Sequence, residues 1–273
     1  MDCLTLVPTP IGNLGDITLR ALEVLRRVDV VAAEDTRRTR KLLDHFDIEK
    51  PLVRLDAHTI RERGIGVLEQ YSRVAFVSDA GTPGISDPGA ELVSLALERS
   101  VSVEVLPGAT AFVPALILSG LRTDRFRFEG FLPRKGSSRR KRLEDIARSE
   151  VTTLLYESPS RVVSTLFELK ELCGSERRAS ISRELTKRFE TTYRGTLEGL
   201  CDRFDHEVLK GEVVIAIGPA DPPPDIDFRS KARELAARGV TGRRLRTALM
   251  ELGAPRNTAY ELSLRFDRDI EKA

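Results

Sequence analysis

The segment Val77-Ser-Asp-Ala-Gly-Thr-Pro-Gly-Ile-Ser-Asp-Pro-Gly89 has the residue types and spacing of a ligand-binding loop. Three glycines and two prolines fall within its last nine residues, so the backbone is stiff where proline fixes φ and open where no Cβ intrudes. The glycine spacing fits neither the dinucleotide fingerprint nor a phosphate loop. Asp79 and Asp87 would repel a bound phosphate, so a cationic or zwitterionic ligand fits better. Asp87 also suits the simpler role of a cap for the helix that begins at Pro88.

Two more loops of similar composition follow predicted strands. The first loop, residues 8–16, comes directly after an apolar strand at 4–7, and the third loop, residues 107–110, follows a strand at 101–106. The central loop, residues 78–89, follows a strand at 74–77 in the same way. If these strands are parallel, the three loops meet where ligands bind in open α/β sheets. The first loop alternatively forms only a tight turn, capped by Asp16 or Thr18.

Hydrophobic periodicity predicts an α/β fold of two α/β domains with a cleft between them, plus a small C-terminal helical unit. The predicted domains are residues 1–119, residues 120–220 with a mixed sheet, and residues 225–273. Three consecutive prolines make 220–225 a linker. The C-terminal unit resembles a helix-turn-helix, and it serves either RNA contact or dimerisation and packing. Strands are predicted over 4–7, 29–33, 52–55, 74–77, 101–106, 126–131, 151–156, 178–184, 189–195 and 213–217, and helices over 18–27, 34–46, 59–71, 90–99, 111–118, 137–147, 161–169, 228–238, 241–251 and 255–266.

Length and composition indicate a soluble globular protein, with 273 residues of which 41% are hydrophobic and 32% charged. The apolar run over 111–118 is too short for a membrane span, and the N-terminus has neither a basic region nor a signal-type apolar core. We therefore expect a cytoplasmic protein without a membrane partner. The cysteines and histidines are scattered, so we expect reduced thiols and metal-independent chemistry. These residues are Cys3, Cys173, Cys201, His45, His58 and His206.

The basic charge is concentrated in one segment. The formal net charge is only +2, yet residues 134–148 hold seven Lys or Arg against Glu144 and Asp145. Such a patch is typical of a surface that meets a polyanion. Aromatic residues amount to only 5% and tryptophan is absent, so an extended base-stacking platform is not expected. The basic patch, as the term is used below, consists of Arg134, Lys135, Arg139, Arg140, Lys141 and Arg142.

Five motifs, distributed over nearly the whole two-domain region, resemble those of one family. They are Pro8-Thr-Pro-Ile-Gly-Asn-Leu-Gly-Asp-Ile-Thr18, Ala33-Glu-Asp-Thr-Arg37, Ser78-Asp-Ala-Gly-Thr-Pro-Gly-Ile-Ser-Asp-Pro-Gly89, Tyr156-Glu-Ser-Pro-Ser-Arg161 and Arg183-Glu-Leu-Thr-Lys187. Together they resemble the tetrapyrrole methylase family of S-adenosylmethionine-dependent methyltransferases. Within it, the sequence is most similar to the subfamily that methylates a cytidine ribose 2′-hydroxyl in the decoding region of small-subunit ribosomal RNA. The helical tail resembles the one appended in this subfamily.

The resemblance implies a homodimer in which S-adenosyl-L-methionine lies folded in the cleft between the two domains. Many relatives have Gly-Asp-Pro in the central loop where this chain has Gly81-Thr82-Pro83, so the Asp side chain has no counterpart here, although a main-chain contact is retained. Asp79 is a candidate partner for the amino group or ribose of the cofactor. The residues that the resemblance implies near the cofactor are Leu14, Asp79, Thr82, Pro83, Ile85, Thr110, Ala111, Tyr156 and Leu185.

Methyl transfer to a ribose hydroxyl needs alignment, a desolvated cleft, and a group that removes the hydroxyl proton or stabilises the developing oxyanion. On this reasoning Glu157 and Glu184 are candidate bases. Arg183 and Lys187 are candidate charge stabilisers. Each of the four alternatively serves as a salt-bridged residue of the cleft wall.

Small-subunit ribosomal RNA, free or within an assembled subunit, would be bound through its phosphates by the basic patch, with Arg37, Arg38 and Arg40 as further candidates. Two alternatives are kept. One is a methyltransferase of a tetrapyrrole-like small molecule, against which the basic patch argues because an acidic macrocycle needs only a few cations in a pocket. The other is a non-catalytic RNA-binding ribosome assembly factor, which would not need an intact cofactor cleft.

Overall fold

The alternation of apolar strands and amphipathic helices produces two five-stranded sheets in the computed structural model. The structure describes residues 3–205, 209–220 and 227–270, with the side chains of 267–270 left out. The chain divides into two compact units, Met1–Ala220 and Asp221–Ala273, and both sheets belong to the first. Apart from Ala220, the predicted linker lies outside the described residues, as does His206. A domain boundary between residues 119 and 120 stays a prediction.

The first sheet consists of β1 (Cys3–Leu6), β2 (Val30–Ala33), β3 (Leu52–Arg54), β4 (Arg73–Val77) and β5 (Ser102–Val105). All five strands are parallel, in the order β3-β2-β4-β1-β5. The apolar side chains of the three central strands, β2, β4 and β1, are buried on both faces of the sheet, as near-continuous runs of Val and Ala predict. The carboxyl ends of all five strands therefore lie at one edge. The helices of this part are α1 (Leu19–Arg27), α2 (Thr36–His45), α3 (Ile60–Gln70), α4 (Gly89–Glu98) and α5 (Phe112–Ser119).

The second sheet consists of β6 (Phe126–Phe131), β7 (Thr152–Glu157), β8 (Arg178–Arg183), β9 (Thr191–Thr196) and β10 (Val213–Ile217), in the order β6-β7-β10-β8-β9. Only β6 and β7 are parallel, so the prediction of a mixed sheet is confirmed. One face carries Leu155 and Ile215 in a core with α6 (Ser137–Ala147), α7 (Val162–Cys173) and α8 (Leu197–Phe204). The opposite face carries Leu154 and Val214, which pack with residues of α5. Helix α5 thus follows the first sheet in sequence and packs against the second.

Helix α8 is an element that the sequence analysis did not predict. It begins directly after β9, where the hydroxyl of Thr196 accepts a hydrogen bond of 3.2 Å from the backbone N–H of Gly199. A Thr cap followed by apolar residues at i, i+3, i+4 and i+7 was the available signal. The buried side chains at this spacing are Leu197, Leu200, Cys201 and Phe204.

The C-terminal unit contains the three predicted helices, α9 (Phe228–Ala237), α10 (Gly242–Glu251) and α11 (Arg256–Ile270). Gly253, in the turn between α10 and α11, has a φ of 95°, a conformation that favours glycine. Leu245, Leu249 and Leu262 belong to the small core of this unit. Across the described part of the chain, no helix combines the length and the apolar character needed to cross a membrane.

Candidate active site

The three loops meet beyond the carboxyl ends of β1, β4 and β5, which are neighbours in the first sheet. Thr9 and Gly81 exchange backbone hydrogen bonds of 3.0 Å in both directions, which joins the first loop to the central loop. The third loop reaches the first at Gly108, where an added Cβ would lie only 2.4 Å from the ring of Pro8. The predicted convergence of the loops is therefore confirmed.

Asp87 holds the central loop in its shape. Its Oδ1 accepts hydrogen bonds of 2.8 Å from the backbone N–H groups of Gly84 and of Gly89, the first residue of α4. The helix begins at Gly89 rather than at Pro88, and Pro88 is its N-cap residue, so Asp87 bonds to the first N–H of the helix from one position before the cap. Thr82, which stands where many relatives have Asp, donates a hydrogen bond of 2.9 Å to the carbonyl oxygen of Ala109 and so joins the central loop to the third.

A cavity of about 430 Å³ lies between the loops of the first sheet and the ends of β7 and β10 in the second. Of the nine residues expected near the cofactor, Leu14 and Pro83 do not line it. Leu14 is instead in a short 3₁₀ turn, Leu14–Asp16, with its side chain exposed. The other seven come together in the wall of this cavity, and their contact with the cofactor stays a prediction. They are Asp79, Thr82, Ile85, Thr110, Ala111, Tyr156 and Leu185.

One wall of the cavity is acidic. Glu34 follows the buried strand β2 and lies beside Asp79 and Asp87. Burial and these two carboxylates raise the pKa of Glu34 above its ordinary value. Asp79 forms an ion pair of 3.3 Å with Arg38 through Oδ2, while its buried Oδ1 has no hydrogen-bond partner. Within the described ranges, no group of three or more His, Cys, Asp and Glu is arranged to hold a metal ion.

Glu34 was not predicted as a site residue from the sequence, although a signal was present. Glu34 is the first polar residue after β2, and β2 pairs in parallel with β4, the strand that feeds the central loop. Its backbone N–H continues this pairing with a hydrogen bond of 3.3 Å to the carbonyl oxygen of Val77. A carboxylate at this position therefore emerges at the same edge of the sheet as Asp79.

Tyr156, at the end of β7, links the second sheet to the start of α5. Burial raises the pKa of the Tyr156 phenol, although backbone hydrogen bonds from Phe112 and Ala111 act in the opposite direction. The phenol therefore stays protonated at neutral pH. Its ring also packs against those of Phe128 and Phe131 at centroid distances of 4.8 and 5.5 Å. Tyr156 consequently forms a rigid wall of the cavity.

Glu157 belongs to a buried ion-pair cluster, which argues against its predicted role as a base. Its side chain is 0% exposed and pairs with Arg161 and, at 3.9 Å, with Arg139. The carboxylate also accepts hydrogen bonds of 2.8 Å from the backbone N–H of Ser158 and from the hydroxyl of Thr165. Because its oxygens are enclosed and already bonded, Glu157 is a structural counter-ion, as in the alternative interpretation.

Arg139, although it belongs to the basic patch, is part of the same ion-pair cluster and is not exposed for contact with RNA. Its side chain is only 7% exposed and donates hydrogen bonds of 2.7 Å to Glu168 and 2.9 Å to Thr165. The prediction for Arg139 was wrong because this position of α6 faces α7 rather than solvent. Arg142 is exposed but pairs with the buried Glu129. The remaining members, whose side chains are exposed, are Arg134, Lys135, Arg140 and Lys141.

The further arginine candidates for phosphate contact also differ in whether an acidic residue of the protein pairs with them. Arg37 pairs at 2.9 Å with Asp35, which it helps to keep ionised by lowering the pKa of that carboxyl. Arg38 points to Asp79 in the cavity wall. Arg40 is exposed, and no ion pair to it occurs among the described residues. Of the three, Arg40 is thus the one whose charge is free to meet an external anion.

Glu184 and Lys187 form an ion pair of 2.9 Å outside the cavity lining. Burial raises the pKa of Glu184, but hydrogen bonds from Lys187 and from the backbone of Glu212 outweigh it, so the pKa is lowered. A carboxylate with a lowered pKa is a weak base. Arg183 also lies outside the cavity lining; its charge helps to lower the pKa of Glu184, and its buried Nε has no hydrogen-bond partner among the described residues. Catalytic roles for Glu184, Lys187 and Arg183 stay predictions.

A statistical model of the family described as Tetrapyrrole (Corrin/Porphyrin) Methylases matches residues 3–201. The matched region contains all three loops and most of the cavity lining. The chain belongs to this family. Solved structures show the same fold, among them that of uroporphyrin-III C-methyltransferase from Thermus thermophilus complexed with S-adenyl homocysteine. Its TM-score is 0.57 at 22% identity, over 79% of this chain and 97% of that one.

This methylase is also similar, over nearly its whole length, to proteins named ribosomal RNA small subunit methyltransferase I. It is 45% identical to the one from Synechocystis sp. over 278 residues, which cover 98% of this chain and 100% of the relative. It is 41% identical to the one from Haemophilus influenzae over 271 residues, which cover 96% of each.

Proposed function

We propose that this methylase transfers a methyl group from S-adenosyl-L-methionine to the ribose 2′-hydroxyl of a cytidine in the decoding region of small-subunit ribosomal RNA. One observation carries the proposal: the cavity of a tetrapyrrole methylase fold, with its Gly/Pro loops, occurs in a chain whose near-full-length relatives are named for methylation of small-subunit ribosomal RNA. The cytidine and the 2′ position follow from the resemblance of the five motifs.

The residues of the cavity fit S-adenosyl-L-methionine. This molecule carries a sulfonium and an ammonium group, and the wall offers the unpartnered Oδ1 of Asp79 to such a cation. Apolar side chains of Ile85, Leu185 and Val214 line other parts of the cavity, where they exclude water. When bound, the cofactor supplies an activated methyl group, so the chain has to align the acceptor and receive its proton.

Arg183 is the better of the two candidate charge stabilisers. Lys187 is already shared between Glu184 at 2.9 Å and Glu212 at 3.2 Å, so its charge is compensated within the protein. The guanidinium of Arg183 has a desolvated N–H that lacks an acceptor, a costly arrangement unless an anion completes it. Arg183 lies outside the cavity lining, so the developing oxyanion can supply that acceptor only if RNA binding brings the two together.

The proposal is tested by incubating the protein with S-adenosylmethionine labelled in the methyl group and with either small ribosomal subunits or naked ribosomal RNA. Nuclease digestion then identifies the labelled nucleoside. We expect label in 2′-O-methylcytidine. Label in another nucleoside would reject the position, and no label in either RNA, with the cofactor still bound, would favour a small-molecule acceptor.

Charge reversal in the basic patch is expected to weaken RNA binding without affecting the cofactor. The variant Arg134→Glu/Lys141→Glu changes two exposed cations that have no ion pair in the described structure. Lost phosphate contacts should raise KM for the small subunit by about tenfold or more and reduce the slope of log KM against log salt by roughly one to two. The control Arg27→Glu/Arg63→Glu makes the same charge change at two other exposed, unpaired positions. Equal losses in both variants would argue against a localised RNA surface.

The homodimer implied by the resemblance and the cytoplasmic location expected from the composition and the N-terminal sequence are part of the same proposal. Support for a dimer comes from large apolar side chains exposed on α5 and β6, namely Val113, Ile117 and Phe126. Light scattering should then give twice the chain mass of 30.4 kDa. A monomeric mass at micromolar concentration would reject the dimer.

A further inference from the structure

Five carboxylates line the cavity, and four of them already have an ion-pair partner or two backbone hydrogen bonds. Asp87 accepts two backbone N–H groups, and Glu157 lies in the buried ion-pair cluster. Asp79 pairs with Arg38, and Glu212 with Lys187. The fifth carboxylate is that of Glu34.

Glu34 is held in a different way. The backbone of Asp79 lies near its carboxylate and acts to lower its pKa, and no side chain of the described structure forms an ion pair with it. The charged groups that face it are Asp79 and Asp87 from the central loop and, at longer range, Arg38 from α2. Burial comes first among the influences on its ionisation and disfavours the negative charge, as the two neighbouring carboxylates also do. The carboxylate of Glu34 can therefore accept further hydrogen bonds, and taking up a proton would remove a negative charge that its surroundings disfavour.

We propose that Glu34 is the general base of this methylase and accepts the proton of the acceptor hydroxyl during methyl transfer. The inference rests on the proposed function. The O–H bond of the acceptor breaks and its proton passes to the Glu34 carboxylate, while the hydroxyl oxygen forms a bond to the methyl carbon. The S–CH₃ bond breaks and its electron pair stays on sulfur, which becomes a neutral thioether. The negative charge of Glu34 and the positive charge of the sulfonium disappear together, which a desolvated cavity favours over a step that separates charge.

The first experiment compares the wild type with Glu34→Gln and Glu34→Asp in single-turnover methylation of small ribosomal subunits. Glutamine keeps the shape of the side chain but does not accept a proton, so the rate constant should fall roughly 10²- to 10⁴-fold. The aspartate variant should recover at least about tenfold of that loss, because it restores a base at a longer reach. The Kd of S-adenosylmethionine, measured by calorimetry, should change less than about threefold in both variants.

The pH dependence gives a second criterion. A base works only when deprotonated, so the wild-type single-turnover rate should fall as the pH decreases through the raised pKa of Glu34, above the ordinary 4.5. This acidic limb should be absent in Glu34→Gln. A wild-type rate that is independent of pH over this range would overturn the proposal, even if the glutamine variant did not fold.

Thermal unfolding separates a catalytic from a structural role without any activity measurement. A carboxyl whose pKa is raised by folding destabilises the native state at pH above that pKa, because the folded protein must carry the unfavourable charge. Glu34→Gln should therefore keep or raise the Tm at pH 7.5, whereas Glu49→Gln, at an exposed position, should leave Tm and rate unchanged. A Glu34→Gln protein with a lowered Tm, a parallel loss of cofactor affinity, or an undiminished rate would overturn the proposal. Failure of the wild type to methylate RNA while it binds the cofactor would instead reject the proposed function.

Discussion

Replacement of Arg139 by alanine is expected to lower the free energy of unfolding by about 3–5 kcal/mol, the usual cost of removing one partner from a buried ion pair. The guanidinium is 7% exposed and compensates the fully buried Glu157 together with Arg161. Without it, a negative charge and the hydroxyl of Thr165 lose a partner in the interior. Urea denaturation, followed by circular dichroism, measures the change.

The neighbouring position provides a matched control. Arg140 lies one residue further along α6, is 75% exposed and pairs at 3.0 Å with Glu144 in an i,i+4 arrangement. Its replacement by alanine should cost no more than about 0.5 kcal/mol, since exposed helical ion pairs contribute little. Similar losses at the two positions would show that the cluster around Glu157 does not stabilise the fold as described.

Replacement of Gly89 by alanine is expected to disturb the central loop and with it the cofactor cavity. An added Cβ would lie 2.7 Å from the backbone nitrogen of Gly84 and 2.9 Å from Oδ1 of Asp87. Both atoms belong to the hydrogen bond that shapes the loop, so the backbone has to move. We expect the Kd of S-adenosylmethionine to rise at least about tenfold, or 1.4 kcal/mol, and the free energy of unfolding to fall by about 1–3 kcal/mol.

A second glycine distinguishes this clash from a general effect of the substitution. Gly66 lies inside α3, and a Cβ added there would meet nothing within 4 Å. Gly66→Ala should therefore stabilise the protein by about 0.5–1 kcal/mol, as expected for a helix interior, with an unchanged Kd. Unchanged cofactor affinity in Gly89→Ala would mean that the central loop does not bind the cofactor.

Local patterns were sufficient to predict most elements of the fold. Runs of apolar β-branched residues identified the strands of both sheets, and the Gly/Pro loops identified the edge of the first sheet at which the cavity lies. Helix α8 was missed although its cap at Thr196 is typical, because it follows β9 with no intervening loop. These patterns involve only residues that are close in sequence, so they can be recognised without knowledge of the tertiary structure.

The roles of charged side chains were predicted less well. Arg139 and Arg140 are adjacent in a basic run, yet one is buried and the other exposed. Their difference depends on Glu168, which is 29 residues away from Arg139 and approaches it only when α6 packs on α7. Glu157 was predicted to be a base because it stands in a family-like motif directly after a predicted strand. In the structure it is buried, pairs with Arg161 and accepts a hydrogen bond from Thr165, as a counter-ion does.

The sequence by itself determined the family, the α/β architecture and the three loops, because each depends on residue types at short spacing. Only the tertiary structure decided which carboxylates of the cavity have ion-pair or backbone hydrogen-bond partners, and that Glu34 forms no ion pair among the described residues. The ionisation of Glu34 depends on burial and on Asp79 and Asp87, which reach it through the pairing of β2 with β4. Burial and partner distance are properties of packed elements, and no local pattern contains them.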